Sequence, residues 1–181
     1  MHAGTSSGTT RTLWAIGAIA LVVLAADLVV KRAVTSAFGP EAERHAWWLI
    51  EDVVGLEYVQ NTGAAFGIMR GNAELLAAAS LLAGAGFVWL LLHELGNSVW
   101  TKLSGGLIIG GGAGNLVERF GDGYVTDYIA VGPWPRFNIA DSAITLAIAV
   151  FAVALLRQDT GADSDAALEG EASEDNDDER A

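Results

Sequence analysis

IADSAITLAIAVFAVALL, residues 139–156, carries one charge in eighteen residues, and that charge, Asp141, is its third residue. A bilayer core takes about 20 mostly apolar residues per helix, with roughly 17–25 observed. The stretch therefore reads as a membrane span that opens on an acid. Three further runs of the same kind lie upstream: TLWAIGAIALVVLAADLVV at 12–30, AELLAAASLLAGAGFVWLLL at 73–92 and the shorter, glycine-rich WTKLSGGLIIGGGAGNLV at 100–117. The fold class that follows is an all-α membrane protein of four transmembrane helices.

Composition agrees. The chain has 181 residues, 52% hydrophobic, with 22 glycines, and a mean hydropathy of +0.38. Glycine is more frequent in membrane helices than in soluble ones. The net charge of −12 is concentrated at one end. Residues 159–181 hold ten Asp/Glu against one Arg, while the remainder holds twelve acids against nine bases. That C-terminal segment has almost no apolar content and reads as a disordered acidic tail. The domain division is therefore 1–11, a four-helix unit over 12–157, and the tail at 158–181. No basic stripe points to nucleic acid. With no cysteine, thiol nucleophiles and thiolate metal sites are excluded. His2, His45 and His93 are isolated, and no HExxH occurs. The first run is too long for a signal-peptide apolar region and ends in Asp27, Lys31 and Arg32, so it reads as an uncleaved span.

Four spans put both termini on one side. The end of span one, the start of span two, the end of span three and the start of span four then share the other side. The unusual polar residues sit at those places: Asp27 and Lys31, Asn61, Asn115, Arg119 and Asp127, then Asn138 and Asp141. Lys/Arg enrichment marks the cytoplasmic side, but the count does not decide orientation. Arg11, Lys102 and Arg157 flank spans on the terminal side. Arg32, Arg70 and Arg136 flank them on the other, once Lys31 and Arg119 are set aside as site candidates.

Asp27 and Lys31 are four apart, in the order that favours a helical ion pair. They serve equally well as an interfacial anchor or as part of a site. Residues 55–67, GLEYVQNTGAAFG, read as a strand with Tyr58 and Gln60 on one face and Glu57 on the other, leading into a turn at Asn61, Gly63 and Gly67. Gly106, Gly110 and Gly114 repeat at intervals of four, beside a stripe of Gly111, Asn115 and Arg119. This spacing allows close approach of another helix or of a substrate. Gly121-Asp122-Gly123 reads as turn chemistry.

Asp127, in the alternating run GYVTDYI, and Asp141 are joined by a short connection containing Pro133 and Pro135. Two carboxylates in contact tend to share a proton. One can then activate a water while the other protonates the leaving group. Either could instead cap a helix or sit in headgroup water. Asn138 is a candidate N-cap that places Asp141 at the third helical position, where the helix dipole favours a carboxylate. The ionised partner is then expected to be Asp141, with the shared proton on Asp127. A transporter would carry its carboxylates at mid-membrane on several spans. A packing subunit leaves Asn61, Asn115, Arg119 and both aspartates without a role.

Five motifs in order, DLVVK at 27–31, NTGAAFG at 61–67, GGAGNLVER at 111–119, VTD at 125–127 and FNIADS at 137–142, resemble the lipoprotein signal peptidase (signal peptidase II) family. The resemblance covers 12–157. It implies a membrane aspartic endopeptidase that removes signal peptides from prolipoproteins, cleaving N-terminal to the diacylglyceryl-modified cysteine. It implies a catalytic dyad of Asp127 and Asp141. It implies supporting or substrate-contacting roles for Asp27, Lys31, Asn61, Gly63, Asn115, Arg119, Asn138 and Ala140. It further implies a small extracytoplasmic β-cradle, no metal or cofactor, and location in the bacterial inner membrane. Both termini would be cytoplasmic and the site extracytoplasmic. The partners implied are the prolipoprotein and membrane lipid, and a monomer suffices. The substrate's lipid would lie beside the glycine-rich helix. Two departures stand out: Glu118 replaces the Asp usual before the arginine, and the segment between the aspartates is short, which reduces any outer loop over the site.

Overall fold

The structure, a computed structural model, describes residues 5–63, 73–96 and 98–157. Gly67, Arg70 and the acidic tail lie outside the described residues. Among the described residues there are four helices: α1 (Thr5–Phe38), α2 (Ala73–Leu95), α3 (Val99–Gly121) and α4 (Ile139–Arg157). Between them lie three strands, β1 (Ala46–Ile50), β2 (Val54–Asn61) and β3 (Val125–Val131). All four expected spans lie within the helices. α1 extends beyond its expected span at both ends, because its 34 residues cover about 50 Å at 1.5 Å each, more than a bilayer core.

Three of the helices, α1, α2 and α4, are long and apolar enough to cross a membrane. Their apolar surface is turned outward: only 11% of the α1 window, 17% of α2 and 28% of α4 is buried within the protein. Trp14, Leu21, Val22, Leu82, Trp89 and Leu156 are all exposed, which suits a hydrocarbon solvent. α3 differs. It carries Lys102, Asn115, Glu118, Arg119 and a run of glycines, which lower its hydropathy, and it packs against both α1 and α2. It is the inner helix of the bundle.

The glycines of α3 are why this packing is close. A Cβ on Gly110 would stand 2.6 Å from the Ala20 carbonyl oxygen and 2.8 Å from Val23 Cβ of α1. One on Gly111 would stand 2.6 Å from the Ala140 carbonyl oxygen of α4. Gly106 faces Ile19, and Gly114 faces the Asp27 carboxylate. Both glycine stripes are thus filled by α1 and α4, and the expected place for substrate lipid on this face is already occupied by protein. Leu107, Ile108, Ala143 and Ala147 pack where α3 meets α4. Leu91, Leu95, Phe151 and Ala154 join α2 to α4, with Phe87 edge-on to Phe151 at 5.3 Å.

The strands form one antiparallel sheet in the order β1-β2-β3. The hairpin between β1 and β2 turns through Asp52 at φ 56°. β2 follows α1 and precedes α2, and β3 joins α3 to α4, so the sheet sits at the end of the bundle where the polar motifs gather. Tyr58 and Gln60 do share a face, linked by a hydrogen bond from Gln60 Nε2 to the Tyr58 hydroxyl (3.1 Å). The register between β2 and β3 shifts between Leu56 and Val59, which brings Val59 opposite Asp127. Gly121 to Gly123 form the turn expected there. The Asp122 and Gly123 N–H groups both donate to the Glu118 carbonyl, and Gly123 takes φ 77°.

Candidate active site

Asp127 lies on β3 and Asp141 at the start of α4, and both line one cavity of about 1300 Å³. Asn138 connects them. Its Nδ2 donates to Asp127 Oδ1 at 2.7 Å. Its Oδ1 accepts from the Asp141 N–H at 2.9 Å, and its own N–H faces Asp141 Oδ2 at 3.3 Å. The last two bonds form a reciprocal cap of the capping-box type. Asn138 is therefore the N-cap expected, and it also holds the second carboxylate.

Each carboxylate has a further amide donor. Asn61, at the end of β2, donates from Nδ2 to Asp127 Oδ2 at 2.8 Å. Its own orientation is fixed by the Gly63 N–H, which donates to Asn61 Oδ1 at 3.0 Å. Asn115 on α3 donates to Asp141 Oδ1 at 2.7 Å, while its Oδ1 accepts from Lys31 Nζ at 2.9 Å and Asn138 Nδ2 at 3.2 Å. The two asparagines and Asn138 thus act as rigid, double-ended brackets around the pair.

Asp127 is 2% exposed. Burial pushes its carboxyl up from 3.8 to about 7, and the charge of Asp141 adds to the rise. Hydrogen bonds from Asn61 and Asn138 and the charge of Lys31 act in the opposite sense. Near neutral pH Asp127 therefore retains a proton for a substantial fraction of the time.

Beneath the pair lies a buried ionic cluster. Lys31 Nζ sits 2.8 Å from Asp27 Oδ2 and 2.9 Å from Glu118 Oε2, and Asn115 takes its third proton. Lys31 is 2% exposed and Asp27 is fully enclosed, so they are not an interfacial anchor. Asp27 Oδ1 also accepts the Ala140 N–H at 2.9 Å, which ties α1 to the first turn of α4. Ala140 is itself fully buried and contributes its backbone only. Glu118 Oε2 accepts the Thr126 N–H at 2.9 Å, fixing β3 one residue before Asp127.

Nine of the ten expected site residues therefore meet in one hydrogen-bonded network. The tenth, Arg119, lines the cavity and makes no hydrogen bond or ion pair among the described residues. Glu118 and Thr126 belong to the network and were not singled out as site residues. The signal for Glu118 was its position three residues after Asn115 on an otherwise glycine-rich helix, facing the same side.

Residues 19–157 match the family model described as signal peptidase (SPase) II. The chain is 42% identical over 126 residues to the lipoprotein signal peptidase of Syntrophomonas wolfei, covering 68% of this chain and 80% of that one. It is 40% identical over 111 residues to that of Halothermothrix orenii, covering 61% and 76%. With that of Streptococcus pneumoniae it shares 32% over 146 residues, covering 80% and 94%. Among solved structures, a bacterial membrane enzyme determined by the in meso method at 2.3 Å has a similar fold, with a TM-score of 0.68 at 24% identity, over 79% of this chain and 88% of that one. A family match across most of the helical region, with relatives at this identity, places the chain in the signal peptidase II family.

Proposed function

We propose that this chain is a multi-pass membrane aspartic endopeptidase that removes signal peptides from prolipoproteins, cutting N-terminal to the diacylglyceryl-modified cysteine. The observation that carries the reading is the bracketing of two carboxylates, from β3 and the α4 N-terminus, by one asparagine at the wall of a common cavity.

The chemistry follows from the asymmetry of the pair. Asp141, at the third position of α4, is the ionised partner and takes a proton from the water between the carboxylates. The hydroxide attacks the scissile carbonyl carbon, and Asp127 gives its proton to the carbonyl oxygen. The tetrahedral intermediate collapses as the C–N bond breaks. The proton held on Asp141 passes to the amine of the departing lipidated cysteine, and Asp127 regains its own from the collapsing hydroxyl. Asn61, Asn115 and Asn138 keep both carboxylates at a fixed distance without adding charge. The guanidinium of Arg119 at the cavity wall, without a hydrogen-bond partner among the described residues, is suited to a substrate carbonyl or to the developing oxyanion.

The membrane placement is part of the same reading. All four helices cross the bilayer, α3 inside the bundle where protein partners satisfy its polar groups. The sheet and the dyad lie on the extracytoplasmic side, with residues 1–11 and 158–181 cytoplasmic. The cavity continues from Asp141 down α4 past Ser142, Thr145 and Leu146 to Ala149, about 12 Å deeper at 1.5 Å per residue. This is where the acyl chains and the apolar signal segment enter. Each buried acyl CH₂ contributes about 0.8 kcal/mol, so the lipid supplies binding energy that the few polar groups need not.

The test is cleavage of a synthetic prolipoprotein peptide by the purified protein, with and without the diacylglyceryl group on its cysteine. The lipidated peptide should be cut before the cysteine and the unmodified one at least 100-fold more slowly. Equal cleavage of both would overturn the substrate assignment.

A further inference from the structure

The loop between β3 and α4, residues 132–138, is short and heavily fastened. Arg136 supplies most of the fastening. Its Nε donates to Glu57 Oε2 on β2 at 2.7 Å, and its Nη2 lies 2.6 Å from the same oxygen. Its Nη1 donates to the carbonyls of Gly132 (3.2 Å) and Trp134 (3.1 Å) within the loop. The guanidinium lies over the Trp48 ring of β1, 5.8 Å from its centroid. At the far end the Phe137 carbonyl accepts from the Tyr128 and Ile129 N–H groups, and the Phe137 N–H donates back to Ile129. Gly132 at φ 47° makes the bend out of β3, and Pro133 and Pro135 restrict the backbone that follows. The loop is tied to all three strands.

What this fastening presents is Trp134. Its indole is 62% exposed and stands at the wall of the cavity that holds the dyad, beside Pro135. A large ring on an immobile loop offers contact area at small entropic cost on binding. Its position decides what it meets. Along α4, past Ser142 and Leu146, the cavity enters the apolar, membrane-spanning part of the protein, where lipid and signal segment belong. In the other direction it passes Trp134 and Gln60 at the sheet. Chain that continues beyond the lipidated cysteine leaves the dyad on the sheet side.

Resting on the function proposed above, we propose that Trp134 is a specificity-determining residue that packs on the first residues following the lipidated cysteine. Arg136 and Glu57 are positioning residues that hold it there. The enzyme therefore discriminates among lipoproteins by the mature side of the cleavage point.

The experiment uses the full chain in detergent and diacylglyceryl-modified peptides that differ only in the residue after cysteine, glycine against leucine or phenylalanine. Trp134→Ala should raise KM about five- to tenfold for the large apolar residues and less than about twofold for glycine, with kcat little changed. Trp134→Phe should restore most of the loss. Arg136→Ala and Glu57→Gln should reproduce the same selective KM rise. The double variant Arg136→Ala/Trp134→Ala should be no worse than Trp134→Ala alone, because Arg136 acts through the indole. A Trp134→Ala enzyme that changes KM equally for every peptide, or for none, overturns the proposal, as do additive effects of Arg136 and Trp134. Should Arg136→Ala fail to fold, Glu57→Gln decides the positioning claim in its place. Wild-type protein that cuts none of these peptides would overturn the parent reading, whereas normal cutting with an indifferent Trp134 would overturn this inference alone.

Discussion

Replacing Asp127 by asparagine should change stability in opposite directions at low and high pH. In the native protein the carboxyl is raised from 3.8 to about 7, first by burial and then by Asp141. A rise of about three units corresponds to roughly 4 kcal/mol at 1.36 kcal/mol per unit. The sign follows from proton linkage. The folded pKa lies above the unfolded one, so the folded state binds more protons between the two. This contribution is fully present below about pH 4 and is lost as pH rises through about 7. Asparagine does not ionise, so the variant escapes that loss. It meets a different cost. Both Asp127 oxygens accept from amides, Oδ2 from Asn61 and Oδ1 from Asn138, and an asparagine must turn its own N–H₂ toward one of them. An opposed buried donor pair costs about 1–3 kcal/mol. At pH 3.5, below the unfolded value, only this cost remains, and the variant should be less stable than wild type by about 1–3 kcal/mol. At pH 8.5 the relief of roughly 4 kcal/mol outweighs it, and the variant should be the more stable protein, by up to about 3 kcal/mol. Thermal unfolding of both proteins in the same detergent, scanned across this range, measures the difference directly. A difference that stays constant with pH would refute the reasoning, because it would mean that Asp127 titrates alike in the folded and unfolded chain.

The remaining structure supports three further expectations. Lys31→Met leaves Asp27 and Glu118 buried without their cation and should cost about 3–5 kcal/mol; adding Asp27→Asn and Glu118→Gln should recover much of this, as read by the yield and unfolding temperature of purified protein. Gly110→Ala drives a methyl group into the Ala20 backbone and should destabilise by about 1–3 kcal/mol, whereas Gly112→Ala, with nothing within 4 Å, should be neutral in the same melt. Asn115→Ala removes a hydrogen bond from Asp141 and one from Lys31; it should lower kcat by about 10- to 100-fold with KM little changed, measured on the lipidated peptide.

Much of this arrangement was legible in the sequence, because membrane insertion makes the code simple. Four apolar runs fixed the helices, and parity alone placed Asp27, Asn61, Asn115, Asp127 and Asp141 at one end. The N-cap role of Asn138 followed from its spacing to Asp141, since cap geometry is local. What local reasoning missed depends on long-range packing. Lys31 read equally well as an interfacial anchor, because nothing in DLVVK reveals that Glu118, 87 positions later, shares its ammonium. Glu118 read as a mild departure from the family pattern, yet it fastens β3 through the Thr126 N–H. The glycine stripes read as a surface for close approach of another helix or of a substrate, but the sequence carries no statement of which neighbour fills them. α1 and α4 do. The pairing of Arg136 with Glu57 across 79 positions was invisible for the same reason.

The central claim is that Asp127 and Asp141 act as one metal-independent catalytic pair. It is tested most directly by cleavage of a diacylglyceryl-modified prolipoprotein in detergent with EDTA, comparing wild type, Asp127→Asn and Asp141→Asn, each shown to be folded by its unfolding transition. The account predicts cleavage by wild type and a loss of at least about 1000-fold in kcat, some 4 kcal/mol of barrier, in both variants. A folded variant of either kind that still cuts at a rate near wild type would contradict it.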